Sequence, residues 1–301
     1  MSVGDDYDTK RYTEYFLMFR DLSVSESLNW GFEPGYILLN KVIGYFTGDS
    51  QVFLAVLSIL ILVPVCYMIW NKSDNPILSL LVFVAVGNLF SSYAALRQWC
   101  AVAVMVMSYD CIIKRRPIRF MITIAAACTF HQTALFFVPL YFVYPLRMTR
   151  QKILLGMAMA VGITVFAEPI MMVLDQFAKN ETRYIQDGGY TKLIILWALV
   201  ILVDLFAYPI ENEEYMKLNC WALLYSAIIQ PMCLTFSGFA RIQLYTWFAM
   251  ALCIPGLIRY MGRNYDWRNA FLMKVAVSVV MIAWFLVTED TRGMTLILFQ
   301  N

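Results

Sequence analysis

Charge is what this sequence has least of. Of its 301 residues, 15% are Asp, Glu, Lys or Arg and 61% are apolar, where a soluble domain carries about 25% and 45–50%. One soluble core cannot absorb that excess, and the stretches 51–70 and 271–287 carry at most one charge, at an end. Histidine is nearly absent too. His131 stands alone, which excludes a multi-histidine metal site. The seven cysteines lie within or at the ends of apolar runs with no CxxC pair, so neither a disulfide framework nor a zinc site is indicated. A net charge of +2 offers no basic surface for nucleic acid. No basic segment followed by an apolar run opens the chain, so no cleavable signal peptide is expected and insertion relies on internal spans.

What remains is an all-α, polytopic integral membrane protein. Apolar runs near the ~20 residues of a crossing helix predict about eight spans, at 51–70, 76–93, 95–113, 153–174, 191–209, 218–236, 240–258 and 271–287. The acidic residues 1–33 read as an extracytoplasmic segment. The stretch 35–46 has apolar residues at helical spacing, and at 12 residues it suits the interface rather than a crossing. The division is 1–50 as loop and interfacial helix, 51–290 as the helical membrane domain, and 291–301 as a tail.

The stretch 117–145 is long for one helix and short for two crossings. Loop charge decides between the readings. A hairpin of two short helices turning near Phe130, His131 and Gln132 places 13 of the 23 basic residues on one side, in short loops that include KRRPIR (114–119) and RMTRQK (147–152). The positive-inside rule makes that side cytoplasmic. The N-terminal segment, the turn at 91–98, the loop at 179–190 and the SGFAR turn (237–241) then face outward.

A charge within the hydrocarbon costs at least ~2.5–3.5 kcal/mol, so Arg97 and Arg241, near span interiors, mark a site. Arg97 and Gln98 open the helix at 95–113, where free backbone N–H groups and the helix dipole add to the guanidinium in attracting an anion. Arg241 opens the next aromatic helix, and Arg183 lies in the loop KNETRYIQDGGY. For any one of these arginines, snorkelling to headgroups is the more ordinary role. Together they look like a phosphate clamp. His131 sits at the hairpin tip and suits a general base; the ordinary reading is a histidine that caps a broken helix.

The residues ALRQWCA (95–101), CTFHQTAL (128–135), Arg183-Tyr184 and SGFAR, with DTKRY (8–12) and FEPGY (32–36), occur in an order that resembles the EpsG family. These are Wzy-type polymerases of bacterial exopolysaccharide, capsule and O-antigen. Members usually carry a transmembrane helix before the acidic loop, and this chain opens on the loop. The resemblance implies a metal- and cofactor-independent glycosyltransferase in the bacterial cytoplasmic membrane, with its site on the extracytoplasmic side. It would move a glycan chain from undecaprenyl pyrophosphate to a lipid-linked repeat unit. Arg97, Arg241 and His131 are then the catalytic set. Gln98, Arg183, Tyr184, Glu33, Asp8 and Arg11 form the substrate-binding set, with Glu33 or Asp8 as the base if His131 is structural. The partners implied are the undecaprenyl pyrophosphate-linked oligosaccharide and membrane lipids, and the resemblance leaves room for a chain-length regulator and a flippase. Broken helices and intramembrane charge serve transport as well. A transporter or flippase of a phosphorylated or lipid-linked solute is the alternative, and a structural subunit of an assembly machine is a third reading.

Overall fold

Proline and short polar side chains set where the helices begin. Pro34, Pro76 and Pro117 each occupy the first turn of a helix, where the missing N–H removes no helical bond. Asp49 and Asn75 accept the free amides of Gln51 and Leu78, as expected of N-caps. A computed structural model describes residues 7–175, 189–206, 213–235, 238–264 and 266–291. Among the described residues every regular element is helical, as the apolar periodicity predicts.

The outward faces show which solvent these helices meet. Along Ser50–Lys72, the side chains of Phe53, Leu57, Ile61 and Val65 are buried while Ile59, Val63 and Tyr67 are well exposed. A water-facing stripe would be polar; this one is apolar, as lipid requires. Trp267–Leu286 is the extreme case, with its most apolar stretch wholly outside the protein interior, whereas Phe239–Arg263 is almost entirely enclosed by neighbours. These two helices and Ser50–Lys72 are long and apolar enough to cross a bilayer. The stretch expected as a span at 76–93 is two helices, Pro76–Ala85 and Asn88–Ala94, bent by 53°. Counted as one span, the pair makes a fourth. Of the eight expected spans, these are the ones that meet both length and composition among the described residues. Helices also run over Arg150–Asp175, Gly189–Phe206 and Glu214–Thr235.

The breaks place the polar groups. Gly87, at φ +83°, makes the 53° bend, a left-handed conformation that a side chain would oppose. Ala95 separates Asn88–Ala94 from Leu96–Val106. The 117–145 stretch is broken at 129–131 into Pro117–Cys128 and the segment Gln132–Val143, which starts as a 3-10 turn. Its two ends lie together. The Arg115 guanidinium sits 3.9 Å from the Tyr141 ring centroid, and Phe120 stacks on Tyr141 at 4.8 Å. That is the hairpin expected from loop charge. Pro117–Cys128 has 12 residues, about 18 Å of helix, which is shorter than a ~30 Å hydrocarbon core.

Two charged clusters occupy opposite ends of the bundle. Where Ser50–Lys72 ends, Arg259 pairs with Asp74 (3.0 Å) and with Glu213, which also holds Arg263 at 3.2 Å. Asp110 gathers Lys72, Lys114 (3.1 Å) and the Tyr215 hydroxyl beside it. Where Ser50–Lys72 begins, Phe16 of the N-terminal helix Tyr7–Asp21 stacks on Phe53 at 4.2 Å. This second end carries Glu33, Arg97 and the hairpin tip.

Candidate functional site

The helix Pro34–Phe46 is anchored at its start. The Gly35 amide donates to the Thr129 carbonyl at 2.8 Å, joining the FEPGY segment to the hairpin tip. A Cβ on Gly35 would lie 2.3 Å from Thr129 Oγ1 and 2.8 Å from its carbonyl oxygen, so only glycine allows this approach. The preceding residue, Glu33, holds the N-cap position but makes no capping bond with its side chain. Its carboxylate instead accepts from Arg97 Nη1 at 2.8 Å, with side-chain exposures of 10% and 26%. The guanidinium also lies 4.5 Å from the centroid of the Phe32 ring, an arrangement attractive to a cation.

Arg97 is the second residue of Leu96–Val106, and the N-cap, Ala95, offers that helix no side-chain acceptor. The first amides and the dipole of an 11-residue helix therefore add to the arginine. Gln98, also buried, donates its side-chain amide to the Arg241 carbonyl. That bond ties the start of Leu96–Val106 to Gly238–Trp247, the helix of Arg241. The 3-10 turn Gln132–Phe137 packs against both, and Glu33, Arg97 and Arg241 are the charges that act on the His131 ring. The elements that carry Glu33, Arg97, His131 and Arg241, four residues expected from widely separated motifs, thus pack together at one place.

His131 caps the 3-10 turn. Its Nδ1 accepts the Thr133 amide at 3.3 Å and lies 2.8 Å from the Thr133 hydroxyl, which reaches the Tyr245 hydroxyl at 3.1 Å. A neutral imidazole has one lone-pair nitrogen. A backbone N–H aimed at Nδ1 favours the tautomer with its lone pair there and its hydrogen on Nε2. In that tautomer the ring donates at Nε2, and the base role expected of His131 uses the other one.

The other expected residues stand apart from this cluster or outside what is described. Arg183 and Tyr184 lie outside the described residues. Asp8 lies in Tyr7–Asp21, and its side chain is outside the description. Arg11, on the same helix, donates to the Tyr15 hydroxyl at 3.1 Å. Tyr15 meets Phe32 edge-on at 4.7 Å, so an aromatic pair links Arg11 to the ring beneath Arg97. Phe32, Gly35, Thr129 and Thr133 were not singled out from sequence, although each lies in or beside a motif that carried the resemblance. An apolar ring, a glycine and two threonines carry no charge to mark them in an apolar chain.

The class this defines is a helical membrane protein whose helix starts carry arginines beside the tip of a short hairpin. The EpsG family model matches residues 1–301, and the chain belongs to the EpsG family of Wzy-like polysaccharide polymerases and glycosyltransferases. Neither a curated protein nor a solved structure matches it significantly.

The capping geometry gives a clean test of His131. Asparagine is a good N-cap whose side-chain oxygen can take the Thr133 amide, but it has no donor where Nε2 stands. His131→Asn is expected to accumulate like the native protein and to lose roughly 10- to 100-fold in polymerisation rate, the scale of one hydrogen bond to a charged group (about 1.5–3 kcal/mol). Undiminished rates at equal protein level would leave His131 as a cap alone.

Proposed function

We propose that this protein lengthens a bacterial polysaccharide by transferring the glycan of an undecaprenyl pyrophosphate donor to a lipid-linked repeat unit at the outer face of the cytoplasmic membrane. An acceptor hydroxyl oxygen bonds to the donor's anomeric carbon as the bond from that carbon to the pyrophosphate oxygen breaks. The leaving pyrophosphate keeps the electron pair, and the hydroxyl proton passes to a base. The observation that carries this reading is the packing together of the helix starts that bear Arg97 and Arg241, the first of them without a side-chain cap, beside the hairpin tip of His131. Charge developing on the leaving group there meets preorganised positive charge, and such stabilisation is commonly the largest catalytic term.

In this reading Arg97 and Arg241 hold the pyrophosphate, and Arg183 and Tyr184, outside the described residues, are assigned to the substrate as well. The Nε2–H of His131 donates to a phosphate or sugar oxygen. Gln98 keeps the two arginine-bearing helices in register. Asp8 and Arg11 lie along the route of the glycan, and a chain-length regulator and a flippase act with the enzyme. The ion pairs of Asp74, Glu213, Arg259 and Arg263 knit the opposite end together, which favours access from one side and so favours a polymerase over a transporter.

The test is reconstitution in vesicles with a defined lipid-linked repeat unit, with products resolved as a ladder. The native protein is expected to give a ladder without a nucleotide sugar. Arg241→Lys, which keeps the charge but loses the paired donors, is expected to slow its growth about 10-fold or more. A native protein that moves the substrate across the vesicle membrane without lengthening it would replace this reading with transport.

A further inference from the structure

Glu33 is placed against the needs of its own helix. It occupies the N-cap of Pro34–Phe46, yet its carboxylate leaves the helix amides uncapped and turns to Arg97. Phe32 carries the other side of that guanidinium, and the Gly35–Thr129 bond fixes the loop beside the hairpin tip. A carboxylate therefore stands where the proposed reading needs a phosphate. The reading also needs a proton acceptor, and the lone pair of His131 is engaged by the Thr133 amide. Glu33 is a carboxylate two residues from the bond that holds its loop to the hairpin tip of His131.

Resting on that reading, we propose that Glu33 is the proton acceptor of the transfer and that the donor's pyrophosphate unmasks it by taking Arg97 away. While paired with Arg97 at 2.8 Å, the carboxylate is engaged and cannot receive an acceptor hydroxyl. A phosphate group offers the same guanidinium paired acceptors and more negative charge, so donor binding exchanges one anion for another. Glu33, held close by the Gly35–Thr129 bond, is released beside the site. When the acceptor hydroxyl attacks, its proton moves to the Glu33 carboxylate, and the negative charge moves to the departing lipid pyrophosphate, which Arg97 now faces. The base becomes competent only when a donor is bound. An acceptor entering first meets a closed ion pair.

The exchange makes a prediction of opposite signs. Purified Glu33→Gln protein in detergent micelles should bind farnesyl pyrophosphate, a short isoprenyl pyrophosphate, about tenfold more tightly than the native protein, because no carboxylate competes for Arg97. Inorganic pyrophosphate, as a second arm, should show the same gain, since the competition is at the phosphate. In reconstituted vesicles the same variant should polymerise at least about 100-fold more slowly, as loss of a general base requires. Glu33→Asp retains a carboxylate and should recover part of that rate with an affinity nearer the native one. A purely structural Glu33 would weaken binding and turnover together. Unchanged or weaker binding by Glu33→Gln overturns the masking, and near-native turnover by Glu33→Gln overturns the base assignment. A native protein that binds neither ligand defeats the underlying reading instead.

Discussion

Arg97→Lys is expected to leave cells with lipid-linked single repeats and almost no long polymer, at a protein level equal to the native one. Removing one preorganised donor from a site of developing charge costs about 10²–10³ in rate, and Arg97 supplies several such terms together. Its planar fork can meet two phosphate oxygens while its face rests on Phe32, 4.5 Å away. A lysine ammonium is a point charge that keeps neither the fork nor the stacked face. Lysine also remains a cation opposite Glu33, so the largely buried carboxylate is not stranded. Arg97→Ala would strand it, and breaking a buried pair from one side costs about 3–5 kcal/mol. A null result from Arg97→Ala would therefore mix folding with chemistry. If alanine is used, the companion is Arg97→Ala with Glu33→Gln, which removes the unpaired charge and should restore protein level without restoring polymer. The measurement is polymer length by gel, normalised to membrane-extracted protein. Normal long chains from Arg97→Lys would remove Arg97 from the site's chemistry.

Much of this site was legible because charge is scarce. In a chain with 15% charged residues, an arginine beside an apolar run is conspicuous on cost alone, and the Gln98 side chain ties the helix of Arg97 to the backbone at Arg241. The hairpin was legible from the basic residues flanking 117–145, and the stacking of Phe120 on Tyr141 closes it. The breaks within apolar runs were harder to see. Apolar composition reads alike whether a helix runs straight or bends by 53°, and of the two breaks before Arg97 only the one at Gly87 has a residue that announces it. Ala95 has high helix propensity and yet ends one helix and begins another. Tertiary packing decides that position, and local sequence does not encode it. His131 shows the same limit in chemistry. Its residue type suggested a base, whereas its tautomer follows from a bond to Thr133, two residues away, that exists only once the hairpin tip has folded.

The second large effect falls on a residue with no functional group at all. Gly35→Ala is expected to cut polymerisation by at least about 100-fold, the scale on which a displacement of about 1 Å at a reacting centre acts, while the transmembrane helices still form and the protein still reaches the membrane. The reason is spatial. The added Cβ would stand 2.3 Å from Thr129 Oγ1 and 2.8 Å from Thr129 O, well inside van der Waals contact, so the loop must withdraw and the Gly35–Thr129 bond must open. Glu33, two residues earlier, withdraws with it and loses its place between Arg97 and the hairpin tip. Shortening Thr129 tests whether the clash is the cause. Thr129→Gly removes the closer obstacle, the hydroxyl, but leaves the carbonyl oxygen at 2.8 Å. The double variant Gly35→Ala, Thr129→Gly should therefore regain only part of the rate. Thr129→Gly alone, which keeps the backbone bond, should stay within a few-fold of native. Full rescue in the double variant would mean that side-chain crowding alone separates the loop from the tip. Native activity in Gly35→Ala would mean that the FEPGY segment does not need its contact with the hairpin during catalysis, and Glu33 would then have to act without the anchor that this bond provides.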